Sequence, residues 1–154
     1  MMRNMHASYI TRSQFARDTR TRIDGQLCDD SGMPAAGYAI YALADPRDLR
    51  AIRYVGMTAD PRRRLLQHCN AAQVWIPDSR PWWVKSPKLR PLYEWVRALY
   101  AEERRLPFML ISAWVADRAT AREAERARIF SCLAEQLPLL NVEREILDRQ
   151  LQLC

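Results

Sequence analysis

Two short apolar runs lie close together and are followed at once by a helix start, and that order constrains the fold more than any other feature of the chain. Tyr38-Ala39-Ile40-Tyr41-Ala42-Leu43 is β-favouring and is ended by Asp45-Pro46. Ile52-Arg53-Tyr54-Val55-Gly56 comes next, after a polar stretch rich in Arg and Asp. Runs so close in sequence pair as a hairpin. Asp60-Pro61 then supplies an N-cap and a proline for the first helical position, which predicts a helix to about Cys69.

Beyond that helix, residues 73–91 hold Trp75, Trp82, Trp83 and four prolines with no clear period, which reads as a loop or insertion. Leu92, Trp95, Val96 and Leu99 sit at helical spacing within a helix over Leu92–Arg105. Phe108–Val115 is a third strand, and Thr120 with Glu123, at capping-box spacing, opens a helix to about Gln136. A short last helix is expected over Glu143–Gln152, and another over residues 9–23. The order predicts a small α/β single domain at 37–141, with a central three-stranded, mostly antiparallel sheet flanked by helices. Residues 1–36 form a polar N-terminal arm or linker and 142–154 a C-terminal helix. With 154 residues, 49% of them hydrophobic, the chain has material for one core and not for two full domains.

Charge is more informative than size. The net charge is +6, and residues 47–90 alone carry +7, with the segments on either side close to neutral. Such a patch is the footprint of a polyanion site. The cations are 22 Arg and two Lys, and arginine is the better fork for phosphate oxygens. The four cysteines form no CxxC pair, so a zinc ribbon and a disulfide scaffold are both set aside in favour of reduced thiols. No apolar run is long enough for a membrane span or a signal peptide, so a cytoplasmic protein with no membrane partner is expected.

The first helix carries the candidate chemistry. Arg64 and His68 are four residues apart and project from one side, flanked by Arg62 and Arg63. An arginine fixed on a helix is placed to stabilise the charge that grows on a phosphodiester, and a histidine one turn on can relay a proton or orient a hydroxyl. From these two residues alone, a surface arginine and an ordinary helix histidine are the commoner explanation. Glu125 lies one turn before Ile129 on an inward stripe, where a carboxylate needs a cation. A divalent metal and an ion pair with Arg122 or Arg128 serve equally well on spacing.

The ordered set Ala39-Ile40-Tyr41, Tyr54-Val55-Gly56, Thr58, Asp60, Arg64, Leu65 and His68 resembles the GIY-YIG nuclease domain. In that family an arginine follows the second tyrosine by ten residues and a histidine follows by four more, as Tyr54, Arg64 and His68 do here. The likeness continues through Trp95, Pro107, Glu125 and Asn141, and covers residues 37–141. Ala39 replaces the usual first glycine, Val55 replaces the central isoleucine, and the long interval from Arg64 to Glu125 is assigned to the insertion at 73–91.

The resemblance implies a metal-dependent endonuclease acting on DNA. Glu125 would hold Mg²⁺ or Mn²⁺, Arg64 would stabilise the transition state, and Tyr41 or Tyr54 would take the proton from water. His68 would join that network and Asn141 would support it. A tyrosine, with a pKa near ~10 in isolation, needs nearby cations for this work. Arg80, Lys85, Lys88 and Arg90, interleaved with Trp82 and Trp83, are candidates for following a nucleic-acid backbone and stacking on bases, with burial of the tryptophans as the equal alternative. RNA remains open as a substrate. A homodimer is one route to double-strand cleavage, two successive nicks being the other. The competing function is a catalytically inactive nucleic-acid-binding module on the same fold.

Overall fold

The computed structural model describes residues 36–141. The expected helices over 9–23 and 143–152 lie outside the described residues. Strand β1 (Tyr38–Asp45) turns through Pro46-Arg47 into β2 (Asp48–Thr58), and α1 (Pro61–Ala72) follows. A short 3₁₀ turn (Trp82–Lys85), α2 (Arg90–Glu103), β3 (Phe108–Val115) and α3 (Arg118–Ala134) complete the order. The three strands form an antiparallel sheet in the order β2-β1-β3, the small α/β architecture anticipated above.

Strand β1 is central because both of its faces are apolar. Tyr41 and Leu43 point to one layer and Ile40 and Ala42 to the other, all of them buried. On the first face, α1 contributes Leu65, Cys69 and Ala72, and α2 contributes Leu92, Trp95, Val96 and Leu99. On the second, α3 covers Ile52 and Val55 with Ala121, Ile129 and Cys132. Ile52 and Val55 are three residues apart, yet they share a face because the register slips between Leu43 and Ala44.

Several boundaries differ from the sequence expectation, four of them for a plain local reason. β2 begins at Asp48, before Ile52, because its first residues form an exposed hairpin tip where Asp45 pairs with Arg47 and Asp48 with Arg50. α1 runs on to Ala72, whose buried methyl extends the Leu65–Cys69 stripe by a turn. Arg90 belongs to α2, where it pairs with Glu94 across one turn, so it is not part of the loop.

The fourth concerns the cap of α3. It begins at Arg118, and its N-cap is Asp117, whose carboxylate accepts from the Thr120 backbone N–H at 2.8 Å and from the Thr120 hydroxyl at 2.7 Å. Thr120 and Glu123 therefore do not form the capping box. Asp117 is the stronger cap and stands one turn earlier.

Two glycines fix how the strands approach one another. Gly37 has φ +126°, and a Cβ there would lie 2.7 Å from the Val115 carbonyl oxygen. Gly56 stands directly opposite Tyr41, and a Cβ on it would meet the Tyr41 hydroxyl at 2.5 Å and the ring at 2.6 Å. The bare backbone of Gly56 is thus the floor on which the Tyr41 ring lies. Gly56→Ala is expected to destabilise the fold by about 1–3 kcal/mol through overpacking at this contact. Urea unfolding reads it, and an unchanged midpoint would refute this packing.

Candidate active site

Tyr41, Tyr54, Arg64 and His68 meet on the sheet face covered by α1 and α2. Register places them there: Tyr54 is opposite Leu43 and Tyr41 is opposite Gly56, so both phenols leave the same face two positions apart. Asp60 starts α1 at a fixed angle by accepting from the Arg63 backbone N–H at 3.0 Å. Thr58 rigidifies the corner, its hydroxyl oxygen accepting from the Asp60 N–H at 3.1 Å. From that start, Arg64 and His68 fall one turn apart over the tyrosines.

The hub is the Tyr41 oxygen. It lies 2.8 Å from His68 Nε2 in a buried hydrogen bond, and it accepts from Arg64 Nε at 3.3 Å. In that bond the Nε2 of the neutral imidazole either accepts from the phenol O–H or donates its own N–H, according to tautomer. Tyr54 packs beside them, its ring centroid 6.2 Å from Tyr41 and 5.3 Å from His68. Arg64 also donates from Nη1 to Gln67 Oε1 at 3.4 Å, within its own helix.

Burial dominates the titration of this cluster. It holds the Tyr41 phenol well above its ordinary value, reinforced by Tyr54 and opposed by the hydrogen bond and charge of Arg64. Tyr54 is raised by burial too. His68 is driven down to about 3, first by burial and then by the Arg64 charge, so it is neutral throughout the physiological range. Burial works against the charge of Arg64, but its contacts with the two tyrosines outweigh this and keep it protonated.

Glu125 lies on α3, the helix that packs on the opposite layer, and its negative charge adds to the upward push on both phenols. Among the described residues no three His, Cys, Asp or Glu side chains gather into a metal cage. The candidate donors are the Glu125 carboxylate and the two phenols, all of them hard oxygens. That set fits a Mg²⁺-like cation that keeps much of its water and takes further oxygens from substrate, and does not fit a structural zinc.

The remaining candidates are dispersed. Asn141 clamps the edge strand: its Oδ1 accepts from the Val55 N–H and its Nδ2 donates to the Val55 carbonyl, both at 2.8 Å. Both ends of its amide are thus engaged by the backbone of the Tyr54-bearing strand. Arg62 and Arg63 are exposed on α1, away from the buried hub that Arg64 joins. Arg80, Lys85 and Lys88 are exposed on the 73–91 segment, and Arg90 is exposed at the start of α2. The two tryptophans divide, since Trp83 is buried and Trp82 is not.

Two residues escaped the reading of the sequence. Tyr93 packs against His68 and against both Trp82 and Trp83, linking the insertion to the site. Arg97, four residues on, donates to the carbonyls of Ile76, Pro77 and Ser79 at 2.7–2.9 Å and pins the insertion to α2. Their i, i+4 spacing beside the Leu92–Trp95–Leu99 stripe was the available signal.

Scans against family models, curated proteins and solved structures return no match to this chain. The resemblance to a nuclease family therefore rests on the sequence motifs alone. Among the described residues, no helix is long and apolar enough to cross a membrane.

The depressed His68 has a consequence for stability. An unfolded histidine binds a proton near pH 6.5 and the folded one does not until about 3. Stability from this group is full above 6.5 and falls with decreasing pH, by up to about 1.4 kcal/mol per unit. The window from 6.5 to 5 precedes carboxylate protonation, and the chain has only one other histidine. Denaturant titrations across that window are expected to show the slope in the native protein and its loss in His68→Gln. Equal slopes would contradict a buried neutral His68.

Proposed function

We propose that this chain is a metal-dependent endonuclease that hydrolyses DNA phosphodiester bonds at the Tyr41–Tyr54–Arg64–His68–Glu125 site. The observation that carries the reading is convergence. Side chains from β1, β2 and α1 form one hydrogen-bonded and ring-packed cluster, and the carboxylate of α3 acts on it. A cluster that served packing alone would have no use for a permanently charged Arg64 bonded to a buried phenol.

In this reading Arg64 meets the scissile phosphate. Its Nε is bonded to Tyr41, which fixes the plane of the guanidinium, and its charge offsets what develops on the phosphoryl oxygens. One tyrosine, once it has lost its own proton, accepts the proton of the attacking water as a phenolate and returns to the phenol, while the other tyrosine orients the water. His68, bonded to Tyr41, holds that ring and takes part in the same proton network. Glu125 would hold Mg²⁺ or Mn²⁺, which when bound supplies electrophilic polarisation of the phosphate. The segment spanning Arg80, Lys85 and Lys88 provides phosphate contacts that position the strand.

One observation favours the second reading, an inactive nucleic-acid-binding module. Burial keeps both phenols protonated in the resting protein, so neither is a ready base. The experiment that separates the readings uses supercoiled plasmid and single-stranded DNA, with Mg²⁺, Mn²⁺ or EDTA. Wild type is expected to nick or cut only with metal, and Arg64→Ala and Glu125→Ala to lose roughly 100-fold or more. Binding without cleavage, unchanged by either substitution, would establish the module instead. The cleavage rate is also expected to climb with pH from 7 to 9, because the phenolate fraction grows tenfold per unit below a raised pKa. A rate flat or falling over that interval would remove the tyrosines from the role of base.

A further inference from the structure

Trp82 stands on the surface, 57% exposed, in the same 3₁₀ turn as Trp83, which is 3% exposed. The turn is firmly held. Trp83 is sunk in the protein beside Tyr93, the Ser86 N–H donates to the Trp83 carbonyl at 2.8 Å, and Arg97 grips three carbonyls of the preceding loop. An exposed indole on a fixed base loses little freedom when something packs on it.

Its position gives the ring a direction. Trp82 meets Tyr93 at 6.1 Å with the rings inclined at 61°, and Tyr93 meets His68 at 6.4 Å. The exposed indole is therefore two ring contacts from the buried hub. Tyr93 also lies close enough to Arg64 for that charge to act on its phenol. Lys85 is exposed in the same turn, with Arg80 and Lys88 exposed on either side of it. Aromatic face and cations at this spacing suit a strand whose phosphates run along the lysines while a base lies on the indole.

We propose that Trp82, backed by Tyr93, is a stacking platform for an unpaired base next to the phosphate held at Arg64, which makes the substrate class single-stranded or locally unpaired DNA. The inference rests on the reading of the Arg64 site as a phosphodiester site. In an intact duplex both faces of each base are covered by its neighbours, so only an unstacked base presents a face to the indole. The lysines act on any phosphate and carry no such preference.

The test is binding in EDTA, where no metal-dependent cleavage occurs. Anisotropy titrations use a labelled single-stranded oligonucleotide of mixed sequence and the corresponding blunt duplex, at one fixed salt concentration. Trp82→Ala is expected to weaken single-strand binding by about tenfold, with a range of roughly 5- to 100-fold for a stacked base, and duplex binding by less than twofold. Trp82→Phe should recover most of the loss. Lys85→Ala with Lys88→Ala should weaken both DNAs alike.

Because Trp82 is exposed, the substituted protein is expected to keep its fold, and a urea midpoint within error of wild type verifies this. Equal weakening of both DNAs by Trp82→Ala, a preference for the duplex, or no binding to single strands overturns the platform. Cleavage is assayed separately, with Mg²⁺. Trp82-dependent single-strand binding without any metal-dependent cleavage would defeat the nuclease reading and leave the platform standing.

Discussion

The hydroxyl of Tyr41 is the point on which the rest depends. A buried phenol is costly unless its polar end is satisfied, and here it is shared between an imidazole and a guanidinium on one helix. That requirement ties the depth of β1, the angle of α1 and the bare backbone of Gly56 into one arrangement. The ring fills the core and the oxygen belongs to the site, so the site cannot be assembled without the packing. Loss of His68 or of Arg64 would leave the Tyr41 oxygen with one of its two partners, and loss of both would strand it in an apolar layer.

The cluster is also electrostatically quiet until something enters it. Its phenols and imidazole are neutral, and its fixed charges are Arg64, with Glu125 acting from the opposite layer. An anion at Arg64 and a cation at Glu125 would arrive as a pair, each lessening the desolvation the other meets. A phosphodiester with a divalent metal is such a pair.

Much of this was legible in the chain, and the parts that were not have physical causes. The spacing of Arg64 and His68, the Asp60-Pro61 helix start and the limits Phe108–Val115 are local features, and the structure carries them unchanged. The site's register follows from Tyr41 and Tyr54 alternating onto one face. The hairpin tip was hidden because charged residues such as Asp48 and Arg50 extend a strand only when they can pair in solvent. Asp117 outcompeted Thr120 as cap, a contest that spacing alone does not decide. Tyr93 and Arg97 were missed because their partners lie in the irregular insertion, whose path no periodicity encodes. The division of labour between Trp82 and Trp83 depended on that path as well.

Asn141 has a meaning outside the site. Strand β2 is at an edge of the sheet, and the free hydrogen-bonding groups of such an edge are a template on which foreign strands can grow. The side-chain amide of Asn141 takes both groups of Val55, and the Leu140 N–H takes the carbonyl of Arg53. Leu140 and Asn141 thereby occupy backbone groups on this edge of the ladder as a neighbouring strand would. Where those groups are occupied, the tyrosine-bearing strand offers a foreign strand nothing to pair with, so the seam is guarded against annealing into aggregates.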